Sequence, residues 1–382
     1  MSPADGSGPV ARPHADPPAR PLLPGFFRVI PMGDDSLQLR SAGRVVRLSG
    51  PGVGTYGPRL LSALDGRSTV TELGSRLQLD PETVEHLIGR LHAGGVLDEG
   101  GPGNGSRAPD TATSEFYRLA GHQAVDVRAA LASARVLFVG LGPTARTAAR
   151  NLAVAAVGAL VLADGGKVTA MDQAILPGEP GDAGRPRSRV VAAQCLRAAK
   201  VSSPEARPPV VAMEGGTPIG EILRRSAPVS LAVVEVDESG ERAEQVNAAC
   251  SEAGVPALYH ESTTLEGTVG PTVLASFPGC YACLVSRRAS HLRYYDEHLA
   301  YQRCLRSGEV PARQPALLAA SAALLGGIVA AEALAVLAGS GSATTGGVLT
   351  ADFRTLEVRR EALVAVPGCR GCDTNREDTV SG

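Results

Sequence analysis

Read as a pattern of apolar and polar positions, the chain changes period several times. Three short runs come first, Phe26 to Ile30, Ser36 to Arg40 and Arg44 to Leu48, separated by turn residues at Gly33-Asp34-Asp35 and Ala42-Gly43. That spacing predicts three strands joined by tight turns. The period then becomes helical over Gly57 to Leu64, over a segment capped at Ser68 or Thr69 that runs through Leu77, and over Glu82 to Ala93 behind Asp80-Pro81. Glu72 stands where a capping box places its acid, and Pro81 suits a first helical turn. In the third helix, Val84, Leu87, Ile88 and Leu91 share one face.

Residues 100–109 (GGPGNGSRAP) carry neither period and predict a flexible linker. A helix is expected from Glu115 to Leu131. Beyond it the apolar run Val136 to Val139 ends at Gly140-Leu141-Gly142. An Ala-rich helical segment follows, and a second run, Leu160 to Ala163, ends at Asp164. Strand, glycine turn, helix, strand and terminal acid make the pattern of a nucleotide-binding βαβ unit. After a loop holding Asp172-Gln173, helices and strands alternate: a helix over 185–200, a strand over Val210 to Ala212, and a helix over Thr217 to Arg225. A strand over Val229 to Val236 ending at Asp237, a helix over Glu241 to Ala253 and a strand over Ala257 to His260 continue the series. The expected class is α/β, with a mostly parallel, doubly wound sheet whose ligands sit at the strand C-termini.

Size and charge narrow the picture. At 382 residues the chain is long enough for two or three domains. A net charge of −2 and a pI near 6.4 give no reason to expect a nucleic acid or a membrane surface as partner. Residues 1–21, rich in Pro, Ala and Gly, predict a disordered tail, and no secretion signal is read there. One apolar stretch, Ala316 to Ala338, has the length of a membrane span, but it contains Ser321, Gly326, Gly327 and Glu332 and stands alone. It is read as a buried helix of a soluble, cytoplasmic protein.

Seven cysteines change the picture more. Four form two C-x-x-C knuckles, Cys280/Cys283 and Cys369/Cys372, each preceded by Pro-Gly. Each knuckle offers two thiolates at a spacing that reaches one ion, so the four predict a closed, structural Zn²⁺ site. Cys304, alone in a polar segment after Tyr294-Tyr295, is read as incidental, and no catalytic constellation stands out.

Three strands followed by three helices form a winged-helix-like unit, a shape often used on DNA. Here the third helix carries Glu82 and Glu85 against one arginine, Arg90, which argues against a recognition helix. The stretch LLSALDGRSTVTELGSRLQLDPETVEHLIGRLHAGGVL (60–97) instead resembles the PqqD-like recognition element of ribosomally synthesised, modified peptides (RiPPs). In that family a leader peptide adds as a strand beside the third strand and packs on the third helix. The resemblance implies peptide contacts at Arg44, Val45, Val46, Arg47 and Leu48, and at Val84, Leu87, Ile88 and Leu91, by β-augmentation.

The rest of the chain resembles the ThiF/MoeB superfamily of adenylating enzymes. The match rests on VLFVGLG, VGALVLADGG, DAGRPR, FPGCYAC, the long apolar helix with AEAL at 331–334, DFRTLEV and PGCRGC. The resemblance implies nucleotide-site positions at Gly140, Gly142, Asp164, Arg187 and Asp237. It also shows what is missing. The family's GxGGxG reads GLGPTA here, the second acid of its D-x-D pattern falls on Gly166, its SNLNRQ segment reads TAMDQA, and its lysine is Arg187. These losses concern the charges that bind triphosphate and stabilise the transition state, so the site is expected to be vestigial and ATP not to be bound.

The expected organisation is therefore a tail over 1–21, a winged-helix-like leader-binding module over 22–99, a linker over 100–114, and a ThiF/MoeB-like domain with a zinc-binding segment over 115–375. The combination is similar to the ThiF-like partner proteins of azole- and thiopeptide-forming clusters. That group implies binding of a precursor leader and its delivery to a separate YcaO-type cyclodehydratase, without catalysis by this chain. The alternatives are an active enzyme adenylating a peptide carboxylate and a winged-helix regulator. Family analogy adds a homodimer.

Overall fold

In a computed structural model, residues 17–372 are described apart from 42, 101–115, 118–119, 121–123, 176–178, 180, 203–208, 214–216, 276, 278, 312 and 370. The expected tail and linker lie almost wholly outside the described residues. The chain divides into two compact units, Met1–Val125 and Asp126–Gly382.

The first unit holds β1 (Pro21–Leu22), β2 (Arg28–Pro31), β3 (Ser36–Arg40), β4 (Val45–Ser49), α1 (Val53–Ala63), α2 (Val70–Leu77), α3 (Pro81–Ala93) and β5 (Asp98–Glu99). Strands β2, β3 and β4 form an antiparallel sheet in that order, while β1 pairs with β5. Alternation along β3 and β4 sends Leu37, Leu39 and Leu48 inward, where they meet Leu60, Leu61, Leu73, Val84, Leu87, Ile88 and Leu91. The capping box is present: the Glu72 N–H donates to Thr69 Oγ1 and the Thr69 N–H to Glu72 Oε2. Asp80 caps α3. Helix α1 starts four residues earlier than its apolar period suggests, because Gly54 lets the helix run against the β2–β3 turn. A Cβ there would overlap the Gly33 carbonyl.

The second unit is built on an eight-stranded sheet. It contains all but the first two residues of α4 (Ala124–Ser133), then β6 (Arg135–Val139), α5 (Pro143–Val154), β7 (Ala159–Ala163), α6 (Ala170–Ile175), α7 (Arg187–Ser202), β8 (Val210–Met213) and α8 (Ile219–Ser226). It continues with β9 (Leu231–Glu235), α9 (Glu241–Ala253), β10 (Ala257–Ser262), β11 (Glu266–Val273), α10 (Tyr281–Ser290), α11 (Tyr295–Ser307), α12 (Ala319–Leu337), β12 (Gly347–Asp352) and β13 (Glu357–Ala362). The order is β13-β12-β11-β10-β9-β6-β7-β8, parallel from β8 to β10 and antiparallel beyond. The sheet is thus mixed and doubly wound. Asp172 lies within α6, where the sequence suggested a loop, and the polar segment holding Cys304 is helix α11.

One sheet face is covered by α8, α9 and α10, whose Ile222, Val246 and Leu284 join Val139, Val161, Val234 and Tyr259. On the other, α5 packs on α7 and on α12. Helix α12 is long and apolar enough to cross a membrane. Its inner face is nevertheless fitted to protein: a Cβ at Gly326 would strike Thr144 and Thr147 of α5. Buried Glu332 accepts hydrogen bonds from the Thr344 N–H (2.9 Å) and hydroxyl (2.8 Å) and from the Ser342 hydroxyl (2.5 Å).

Candidate functional site

The glycine turn follows β6 at the C-terminal edge of the parallel strands, where open α/β sheets bind ligands. Gly140 takes φ +88°, and Gly142 caps α5. The turn's amides are already engaged. The Leu141 N–H donates to Asp164 Oδ2 at 2.7 Å, the Gly142 N–H donates to Glu235 Oε2 at 2.7 Å, and Pro143 has no N–H to offer. The Glu235 carboxylate lies where an anion at a helix N-terminus would sit. A Cβ on Gly142 would overlap it, and one on Gly140 would crowd its Cβ. Burial pushes the Glu235 carboxyl upward, the Gly142 N–H opposes that, and nearby Asp164 adds to it.

Beside the turn lies a chain of paired charges. Arg187, at the start of α7, donates to Asp164 Oδ2 at 3.2 Å and to Asp172 Oδ2 at 3.1 Å. Asp164 Oδ1 also accepts the Gly166 N–H at 2.6 Å. A side chain at Gly166 would collide with Arg187 and Asp164, so the arginine occupies the space left by the missing second acid. Asp172 is fully buried and accepts from the Thr169 N–H, the Thr169 hydroxyl and Gln314 Nε2, at 2.8, 3.0 and 3.1 Å. Arg146, 1% exposed, places Nη1 4.0 Å from Asp172 Oδ1 and 3.3 Å from its carbonyl.

Buried ions persist only when paired and hydrogen-bonded. The Arg187 pairs with Asp164 and Asp172 meet that condition, while Arg146 hydrogen-bonds the Asp172 carbonyl and only approaches its carboxylate. Burial would raise the Asp172 carboxyl, but the Thr169 amide and Arg187 hold it below the usual range. Burial also works against the Arg187 charge, and Asp164 and Asp172 outweigh it. At Arg146 burial prevails and lowers its affinity for the proton, with Asp172 in opposition.

Of the five residues expected at this site, Gly140, Gly142, Asp164 and Arg187 come together. Asp237 does not. Its carboxylate turns to the start of α9, accepting from the Ser239 hydroxyl, the Gly240 N–H and Arg242, each at 2.9 Å. Strand β9 ends two residues before it, and Glu235 is the acid aimed at the turn. Glu235, Arg146, Asp172 and Gln314 were all missed in the sequence. A buried neighbour was missed too: His260 pairs with Glu235 in the β9–β10 register. It is 1% exposed, neither ring nitrogen has a hydrogen-bond partner, and burial drops its pKa to about 3.

The four knuckle cysteines meet in the second unit. Cys280 Sγ lies 3.9 Å from Cys283 Sγ and 3.7 Å from Cys369 Sγ, and Cys283 Sγ lies 3.5 Å from Cys372 Sγ. All four sulfurs fall within 4.8 Å of one another. Tetrahedral Zn²⁺ at about 2.3 Å from each sulfur requires sulfurs about 3.8 Å apart, so the donor set fits that ion and leaves no open position. Burial raises the Cys280 thiol to about 11, so a cation is what would hold it as thiolate. The Val366 N–H points at Cys283 Sγ at 3.3 Å, a contact that supports a ligating sulfur.

In the first unit, β4 is the last strand of its sheet and presents one unpaired edge among the described residues. Val45 and Arg47 are exposed and Val46 is half-buried. The expectation that Leu48, Val84, Leu87, Ile88 and Leu91 face a peptide is corrected. All five are at most 3% exposed and form the unit's own core, since burying that stripe is what holds α3 to the sheet. Arg44 is exposed, and its guanidinium is engaged within the unit, donating to the Gly94 and Gly95 carbonyls just past α3. Arg90 of α3 donates to the Ser49 carbonyl at 3.0 Å, so both ends of β4 are tied to that helix.

Residues 117–371 match the model of the ThiF family. The molybdopterin-synthase adenylyltransferase of Escherichia coli (strain K12) is 26% identical over 253 residues, 65% of this chain and 90% of that protein. Among solved structures, E. coli MccB with ATP superposes at a TM-score of 0.61 with 15% identity, covering 92% of this chain and 99% of that one. The microcin C7 biosynthetic enzyme MccB in complex with N-formylated MccA gives 0.62, 15%, 92% and 99%. At such identity these two establish likeness of fold, and it extends beyond the family-matched segment. With its doubly wound sheet, its glycine turn and its four gathered cysteines, the chain belongs to the ThiF family.

Proposed function

We propose that this chain is a non-adenylating member of its family that binds the leader of a ribosomally made precursor peptide. It would deliver the core of that peptide to a separate YcaO-type, ATP-dependent cyclodehydratase forming azolines from Cys, Ser or Thr, as in thiopeptide pathways. The observation that carries the first half is the glycine turn. Two main-chain amides that could hold phosphate are taken by carboxylates, and the next position is proline. Glu235 adds a carboxylate where a triphosphate would need the opposite charge, and Arg187 is already paired with Asp164 and Asp172.

The second half rests on the free edge of β4, which offers main-chain groups to an added strand. In this reading residues 22–99 are the leader-binding module, 100–114 the linker and 115–375 the scaffold, with structural zinc at Cys280, Cys283, Cys369 and Cys372. Tethering the leader raises the local concentration of the core peptide at the partner enzyme, which speeds reaction without new contacts at the reacting atoms.

The competing reading, adenylation of a peptide carboxylate, draws on the fold shared with an enzyme solved with ATP. ATP–pyrophosphate exchange by the full chain with its precursor separates the two. Exchange at background is expected, and clear exchange would overturn the proposal. Peptide binding that survives deletion of residues 1–100 would overturn the leader-binding half.

A further inference from the structure

The free edge of β4 carries charge that the unit itself does not use. In an antiparallel ladder, residues paired by register project to the same face. Arg28 pairs with Arg40, and Arg40 with Val45; in the next row Ile30 pairs with Gln38, and Gln38 with Arg47. The outer face of this sheet therefore shows Arg28, Arg40 and Arg47 together with exposed Val45. None of the three arginines has a hydrogen-bond or carboxylate partner among the described residues. Three of the unit's acids are used elsewhere: Asp35 accepts the Gly52 N–H at the sheet's other end, and Glu72 and Asp80 cap helices.

Taking the leader-binding reading as its starting point, we infer that the segment added to β4 is acidic, an extended strand with carboxylates at alternate positions on its outer face. Alternation follows from the pleat, which sends every second residue of an added strand to the side where Val45 and Arg47 stand. Strands lie about 4.8 Å apart, so Arg47 is directly across from the added strand and Arg40 about 10 Å away. Arg40 reaches over Val45 to a glutamate there. Arg28, about 14 Å off by the same spacing, adds only a salt-screened field.

A nucleic-acid duplex fits the same charge less well. It has no strand edge to pair with β4, and α3 shows exposed Glu82 and Glu85 to solvent.

Selection of a random twelve-residue display library on the immobilised full chain tests this. The expected winners carry Asp or Glu at i and i+2, enriched about two- to fivefold per position, the factor a cross-strand ion pair supplies. Their binding weakens as salt rises. In the double variant Arg40→Glu/Arg47→Glu, both sites being exposed, the preference at those positions moves to Lys and Arg. Winners with no acidic preference, unchanged in the variant, overturn the inference and leave strand binding standing. If no peptide is enriched, leader binding and the inference fall together. Tighter binding to a random-sequence DNA duplex, lost in the variant, also overturns the inference.

Discussion

The glycine turn and the β4 edge treat arginine in opposite ways. At the turn, Arg187 is held by Asp164 and Asp172, and Arg146 lies against Asp172, all within the interior. On the outer face of the β4 sheet, Arg28, Arg40 and Arg47 stand exposed, with no side-chain partner among the described residues. Charges that satisfy one another leave little for a ligand, whereas charges left open supply a long-range field. The contrast turns attention from the glycine turn of the α/β sheet toward the plainer edge of β4. An inherited nucleotide turn can keep its shape while its electrostatics are spent on the protein itself.

Four experiments break or sharpen that contrast. The largest effect is expected from Asp172→Ala, which strands Arg187 and Arg146 in the interior. A loss of about 3–5 kcal/mol follows for one-sided removal of a buried pair, read as a shift in the urea midpoint. A loss under 1 kcal/mol would mean the network is open to water. Next comes Cys372→Ser, expected to drop bound zinc from one ion per chain to none and to lower the melting temperature by several degrees. Metal analysis and calorimetry on the same sample check both, and retained zinc would refute the four-cysteine site.

Smaller effects depend on pH. The Glu235 carboxyl is raised in the folded chain, so its contribution is most favourable below its unfolded pKa and is lost as pH rises through the folded value. Glu235→Gln is therefore expected to match the parent in acid and to exceed it in stability near neutrality, as measured by melts from pH 4 to 8. Asp172 has the reverse sign: lowered when folded, it supports the fold above its unfolded pKa and loses that support as pH falls through the folded one. The smallest effect is expected at Arg47→Ala. Stability should stay within about 0.5 kcal/mol, while retention on an anionic resin falls. A large stability loss there would show that Arg47 is structural.

The fold was legible where local rules and packing agree. Thr69 and Glu72 form their box, Asp80 caps α3, and the apolar runs at 136–139 and 160–163 are β6 and β7. The cysteines were legible because thiol spacing encodes the metal's geometry. The site was legible only in outline. Val236 prolongs the apolar run of β9 past Glu235, which moved attention to Asp237. Arg146 reads as a solvated helix residue, since nothing local announces a partner 26 positions away. Strand β13, with every residue exposed, lacks the alternation that reveals a half-buried strand. The α3 stripe is a helical face that periodicity alone assigns equally to core or to ligand.

The length of one side chain at the glycine turn has a genetic consequence. Aspartate at 235 would draw the carboxylate back by about 1.5 Å, one carbon–carbon bond. The 2.7 Å contact with Gly142 would then pass beyond hydrogen-bonding range and release the amide. Glutamate and aspartate codons differ only at the third base. The bound and the released state of the Gly142 amide are therefore neighbours in sequence space, one nucleotide apart.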